Sequence, residues 1–318
     1  MSGMTYRQLG DSGLTVSAVG LGCNNIGRRL EKDATRELVD AALDAGITLF
    51  DTADIYGTEP GGSEDLLGQA LVGRRESIVL ATKFGKSMRG TVLPEHEARG
   101  SRRYIRAAIE HSLRRLRTDY IDLYQIHEPD PRTPIEETLD ALDELVREGK
   151  VRYIGSSQFA AWQIVDADWA ARTAGKARFI SAQDQYSLLD RGIEAEVVPA
   201  CEHVGIGLLP FFPLSNGLLT GKYHRGKPAP SGTRLARAEF ADVLETANWT
   251  AIERMRAFAD ERGLSMLDVA IAGLAAQPCV ASVIAGAMNP EQVRANVQAG
   301  AWEPTAADLV EIDEIAAG

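Results

Sequence analysis

Apolar positions along this chain fall into short runs separated by longer stretches of helical period. Residues 19–22, 47–50, 78–81, 121–126, 151–155, 179–183, 206–209 and 280–285 are largely apolar on both faces. That is the pattern of parallel strands covered on each side. Residues 33–45, 63–71, 102–116, 134–147, 162–173, 193–203, 266–276 and 290–299 repeat their apolar positions with the helical period. Leu38, Ala41, Ala42 and Ala45 share one such face, and Ile105, Ala108, Ile109 and Leu113 another, with arginines opposite. Ser63 and Asn289 are candidate N-caps, Pro134 opens a first turn, and Gly149 follows a helix end. Ahead of all this, residues 6–10 and 14–17 flank Asp11-Ser12-Gly13 and predict a β-hairpin. Eight strand–helix units in one uninterrupted chain predict an α/β protein, a (β/α)8 TIM barrel with an N-terminal hairpin, in a single domain over 1–318. An open doubly wound sheet is the alternative. Segments 85–100 and 223–250 exceed the minimal pattern, the second with a helical stretch near 238–246. Both follow strand C-termini, which places two long loops on the face where barrels carry their sites.

Composition changes this picture little. A chain of 318 residues, 45% hydrophobic, builds a core without disulfide or metal staples. Cys23, Cys201 and Cys279 are odd in number and far apart, and read as inert thiols in a reducing compartment. With no leader pattern and no apolar run of about 18 residues, a soluble cytoplasmic protein is expected. The formal net charge of −11 argues against nucleic acid and anionic membranes as partners. His96, His111, His127, His203 and His224 include no close pair, so no metal is expected. Gly20–Gly27 approximates a dinucleotide fingerprint, but its last glycine is late and no helix begins there. In 217–222, a near phosphate loop has one residue too few between its glycines.

A barrel brings the groups at its strand ends to one mouth. After the second strand come Asp51 and Tyr56, after the third Lys83, and His127 ends the fourth. An ammonium beside the phenol favours the phenolate and is expected to lower the Tyr56 pKa. Asp51 would keep Lys83 charged and fixed, and His127 would orient a substrate oxygen. Together the four would polarise a carbonyl and give it a proton, leaving hydride to a cofactor. Ser157, Gln158 and Gln183 offer partners for a carboxamide such as that of nicotinamide, and Phe211 a ring for stacking. The loop from Gly286 through Asn289 to Pro290 makes a helix N-terminus suited to phosphate. Taken singly, each of these groups has a structural explanation: an ion pair, a satisfied histidine, a half-buried aromatic. Their shared position at successive strand ends is what such explanations do not foresee.

The stretches Phe50-Asp51-Thr52-Ala53-Asp54-Ile55-Tyr56-Gly57, Thr82-Lys83, Gln125-Ile126-His127, Ile154-Gly155-Ser156-Ser157, Gln183-Asp184-Gln185-Tyr186-Ser187-Leu188-Leu189 and Gly217-Leu218-Leu219-Thr220-Gly221-Lys222-Tyr223 resemble signatures of the aldo-keto reductase family, in that family's order. The resemblance implies reversible reduction of a small-molecule carbonyl with a nicotinamide cofactor, NADP(H) favoured and NAD(H) possible. It makes Tyr56 the general acid, Lys83 and Asp51 its tuning pair, and His127 the group that positions the carbonyl. Cofactor contacts are implied for Gly22, Cys23, Asn24, Asp51, Ser157, Gln158, Gln183, Phe211, Pro213, Leu214, Ser215, Gly217, Lys222, Gly286, Met288, Gln292 and Asn296. Gln158 replaces a usual asparagine, Phe211-Phe212 a usual Tyr-Ser, and Gln292 a frequent arginine. Gln292, Arg294, Asn296 and backbone N–H groups are the candidates for the phosphate grip. A short tail after Trp302 predicts an open substrate site. The family pattern also implies a monomer or weak homo-oligomer. A cofactor-sensing subunit with little turnover is the alternative function.

Overall fold

The computed structural model describes residues 3–86 and 92–317. In chain order the elements are β1 (Tyr6–Gln8), β2 (Thr15–Ser17), β3 (Val19–Gly22), α1 (Lys32–Asp44), β4 (Leu49–Asp51), α2 (Gly62–Ala70), β5 (Val79–Phe84), α3 (Arg102–Leu116), β6 (Ile121–Ile126), α4 (Ile135–Arg147) and β7 (Val151–Ser157). Then follow α5 (Ala161–Ala174), β8 (Phe179–Gln183), α6 (Val197–Val204), β9 (Gly207–Leu208), α7 (Ala241–Glu245), α8 (Trp249–Glu261), α9 (Met266–Ala275), β10 (Val283–Gly286), α10 (Pro290–Ala299) and α11 (Ala306–Ala317).

Strands β3 to β10 form one parallel sheet in the order β10-β3-β4-β5-β6-β7-β8-β9. Its two ends meet where Leu208 N–H donates to Cys279 O at 2.8 Å and Ala281 N–H to Leu208 O at 3.0 Å. The result is the predicted (β/α)8 barrel. The hairpin β1–β2 plugs its N-terminal end. Leu9 and Val16 join Leu49, Ala81, Leu123 and Leu209 in the barrel interior. Gly10 makes this possible: its φ is +57°, and a Cβ there would lie 2.6 Å from Gly205 O. The opposite end is left as the mouth.

A second core lies between strands and helices, as the two-sided apolar runs require. In α3, Ser101 caps the first turn by accepting from Tyr104 N–H, and Ile105, Ala108, Ile109 and Leu113 face inward. A third core joins Leu218, Leu219, Tyr223 and Leu235 to Ile252, Met255 and Phe258 of α8, Val269 of α9 and Ile312 of α11. The sequence reading omitted α8 and α11. Their inward residues carry helical spacing, but they bury against each other, α9 and the irregular segment 214–240 rather than against the sheet. The helical stretch expected at 238–246 is present, as a 3-10 turn over 238–240 followed by α7.

Several boundaries move. Lys83 and Ser157 lie inside β5 and β7 rather than beyond them, and the last strand starts at Val283. The predicted helix 193–203 is a 3-10 turn followed by α6. Pro134 is itself the cap of α4. Gly61, not Ser63, caps α2. Of the segment 85–100, residues 87–91 lie outside the described residues. Cys201 and Cys279, distant in sequence, are neighbours in space. The nearby Cys279 thiol and burial push the Cys201 thiol far above the ordinary range, and burial does the same to Cys23. Among the described residues no helix is long and apolar enough to cross a membrane.

Candidate active site

Asp51 ends β4, and the chain keeps its hydrogen bonding to β5 after the strand stops. Thr52 N–H donates to Ala81 O at 2.9 Å and Asp54 N–H to Lys83 O at 3.0 Å. Tyr56 is then turned back: its N–H donates to Ala53 O, and its carbonyl accepts from Ser63 N–H at 3.0 Å. Gly57 takes up the turn at φ +123°, where a Cβ would meet Glu59 O at 2.6 Å. Ser63 ties the segment down, donating to Cys23 O at 2.8 Å and lying 2.9 Å from Thr52 Oγ1.

Lys83 has no exposed surface. Its Nζ donates to Asp51 Oδ2 at 2.6 Å and to Thr52 O at 2.9 Å, and it lies 5.2 Å from the centroid of the Tyr56 ring. Burial alone would discharge the ammonium. Asp51 and Tyr56 outweigh that, and the net direction is above the ordinary lysine value. The other oxygen of Asp51 accepts from Gln183 Nε2 at 2.9 Å and Gln125 Nε2 at 3.3 Å. A buried ion pair is stable only when its remaining hydrogen-bonding positions are filled, and these amides fill them.

The expected lowering of Tyr56 is corrected. Burial raises its pKa by more than the Lys83 ammonium lowers it, so the phenol titrates above 10. It is therefore protonated at neutral pH, and the ammonium beside it favours the phenolate. His127 stands edge-on to Tyr56, ring centroids 5.9 Å apart at 84°. Burial first, then Lys83 and Lys86, hold its imidazole well below the ordinary histidine value. Its Nδ1 is buried and has no hydrogen-bond partner among the described residues. A neutral imidazole at this point can hydrogen-bond an uncharged oxygen.

These groups open into a cavity of about 770 Å³. It runs from Tyr56 and His127 past Gly22, Cys23, Asn24, Ser157, Gln158 and Gln183. It continues along Phe211, Pro213, Leu214, Gly217 and Lys222 to Gly286, Met288, Gln292 and Asn296. Four predicted positions behave otherwise. Ser215 does not line it; Asn216 and Thr220 do. Arg294 is exposed and not among the lining residues. Gln158 lines it, but its amide is engaged with His127 O at 3.0 Å, from a left-handed backbone at φ +58°. The Gln183 amide nitrogen is likewise committed to Asp51. Asn289 caps α10 as predicted, accepting from Gln292 N–H at 2.9 Å. Gln292 Oε1 in turn takes Met288 N–H at 2.9 Å.

Sequence reasoning missed Gln125, although it stands beside His127 in a quoted motif. It also missed the lining cations Arg29, Lys86 and Arg234. Arg234 lies 5.3 Å over the Phe212 ring. Behind the site, Thr82 Oγ1 donates to Glu64 Oε1 at 2.6 Å, and Glu64 pairs with Arg115. Asp54 is buried beside them, and burial with the Glu64 charge pushes its carboxyl up to about 8.

A closed barrel with charged groups and a deep cavity at its C-terminal face defines an enzyme-like (β/α)8 architecture. Comparison with known proteins narrows the class. The profile described as "Aldo/keto reductase family" matches residues 18–317. The chain is 38% identical over 302 residues to "Uncharacterized oxidoreductase YrpG" of Bacillus subtilis (strain 168), covering 93% of this chain and 91% of that one. It is 34% identical over 310 residues to "Probable voltage-gated potassium channel subunit beta" of Arabidopsis thaliana, with the same coverages. It is 33% identical over 312 residues to "L-glyceraldehyde 3-phosphate reductase" of Escherichia coli (strain K12), covering 93% and 87%. This chain belongs to the aldo/keto reductase family, a family of oxidoreductases.

Proposed function

We propose that this protein reversibly reduces an aldehyde or ketone to an alcohol, with NADPH favoured over NADH and Tyr56 as the general acid. The observation that carries the reading is the buried Lys83 ammonium, held by Asp51 and the Thr52 carbonyl with the Tyr56 ring beside it, its centroid 5.2 Å away. Tyr56 would donate its proton to the substrate oxygen as charge develops there. Lys83 would stabilise the resulting phenolate, and Asp51 would hold Lys83 in place. Neutral His127 would orient the same oxygen from the side.

The donor set along the cavity fits a dinucleotide. Asn24, Ser157 and the Phe211 ring suit a nicotinamide and its carboxamide; Lys222, Arg234 and the capped start of α10 suit the phosphates. When bound, a reduced nicotinamide supplies the hydride. The preference for the phosphorylated form rests on the family resemblance and on these cations.

A relative described as a potassium channel subunit supports the second reading, a cofactor sensor with little turnover. One assay separates the two: purified protein with NADPH or NADH and a panel of aldehydes, with coenzyme binding followed by tryptophan fluorescence. The enzyme reading expects coenzyme consumption that depends on the aldehyde. Binding of coenzyme without turnover of any carbonyl would favour the sensor.

A further inference from the structure

The cavity is positive in a chain whose formal net charge is −11. Asp51 is the only carboxylate among the described residues that line it, and Lys83 neutralises that one. Against it stand Arg29, Lys86, Lys222 and Arg234. Three of these cations belong together. Lys222 and Arg234 lie on the segment that follows β9. Arg29 is near enough to Arg234 to help depress its guanidinium, after burial and Arg237. A dinucleotide accounts for that side.

Lys86 is placed differently. It leaves the top of β5, four places from β9 along the ordered sheet and so across the mouth from it. With Lys83 it is one of the two charges that, after burial, keep His127 neutral. It lines the cavity, and its Nζ lies 3.9 Å from Glu128, the residue that follows His127, which puts it on the side of the imidazole rather than on the segments assigned to the cofactor. Each of these two side chains is about one-third exposed, at 33%. The two form a loose ion pair, too long for a hydrogen bond, so Glu128 takes none of the three N–H donors of the ammonium.

We infer that Lys86 selects carbonyl substrates that carry an anionic group, a phosphate monoester or a carboxylate, a few bonds from the carbonyl carbon. This rests on the reading of the pocket as a carbonyl reductase. The carbonyl oxygen lies between Tyr56 and His127, and the anion reaches the ammonium on the far side of the imidazole. Lysine suits this task because it is a point charge on a flexible stem, tolerant of substrates of differing length.

The test is steady-state kinetics on the full chain at saturating coenzyme. Glyceraldehyde 3-phosphate and succinic semialdehyde are compared with glyceraldehyde and butyraldehyde. The wild type is expected to favour at least one anionic aldehyde over its neutral counterpart by about tenfold in kcat/KM, the factor of one charge-assisted hydrogen bond. Lys86→Met should erase that advantage through KM, Lys86→Arg should restore most of it, and high salt should shrink it. An advantage for the phosphate arm alone names a phosphate monoester; one for the carboxylate arm alone names a carboxylate. Equal kcat/KM for charged and neutral aldehydes, or a Lys86→Met variant that loses both alike, would overturn the assignment while leaving the reductase standing. Turnover of no aldehyde with either coenzyme would overturn the reductase reading and this inference with it.

Discussion

On the β4–β6 side of the mouth, polar groups are anchored in the strands and satisfied from below. Lys83 is wholly buried within β5, and its partners Asp51 and Thr52 come from the end of β4. Gln125 and Gln183 close the far side of Asp51. On the α10 side, hydrogen bonds run between exposed neighbours a few residues apart. Asn289 takes Gln292 N–H, and the Gln292 side chain takes Met288 N–H. The first side is rigid because removing any partner leaves a charge in a dry place. The second is a local cap that can exchange its own hydrogen bonds for those of a ligand. Groups that must hold one geometry through a reaction are built from strand interiors, and groups that must let a ligand come and go are built from loop and helix ends.

The contrast can be broken most sharply at Tyr56. Tyr56→Phe keeps the ring and removes only the phenol. It should lower the rate of carbonyl reduction by about 10²- to 10⁴-fold, with coenzyme affinity by fluorescence titration close to wild type. Comparable loss of both would contradict the role. Next in size is Lys83→Met, which strands Asp51 as an unpaired buried carboxylate. Urea denaturation should report a loss of about 3–5 kcal/mol; a variant of wild-type stability would mean that Asp51 finds water or another partner.

A third measurement sharpens the electrostatics of the same side. Tyr56 and Lys83 titrate above their ordinary values of 10.0 and 10.5, and His127 well below 6.5. Below pH 10 the donor keeps its proton, and above pH 6.5 the imidazole stays neutral. The profile of kcat/KM, which reports the free enzyme, should therefore be flat between these limits and fall only in more alkaline solution. A limb with its midpoint between pH 7 and 9 would restore the lowered phenol that Lys83 alone suggests. The smallest effect belongs to the other side. Asn289→Ala should cost about 1 kcal/mol of stability, the usual value of an N-cap. It should weaken coenzyme binding and leave the pH profile unmoved.

Much of this was legible before any coordinates. Eight two-sided apolar runs separated by amphipathic stretches leave few ways to bury every strand, and a closed parallel barrel is one that covers both faces. Asp51, Tyr56, Lys83 and His127 could be gathered from sequence because each stands at or near the end of a run, and a barrel makes such ends converge. The helices α8 and α11 were lost because they stand outside the eight strand–helix units and bury against each other, α9 and the irregular segment 214–240, which has no period to read. Ser63 looked like a cap because serine before an amphipathic stretch usually is one, whereas here its hydroxyl staples Cys23 to Thr52.

The chain's pattern of apolar spacing thus determined the barrel and the address of the four central groups, since periodicity is a local property and strand ends share one face by symmetry. Tertiary structure alone decided the direction of the Tyr56 pKa, the commitment of the Gln158 and Gln183 amides, and the place of Lys86 at the cavity wall beside Glu128. Each of those is a balance between burial and a partner distant in sequence, and neither depth nor distance is written in the spacing of residues.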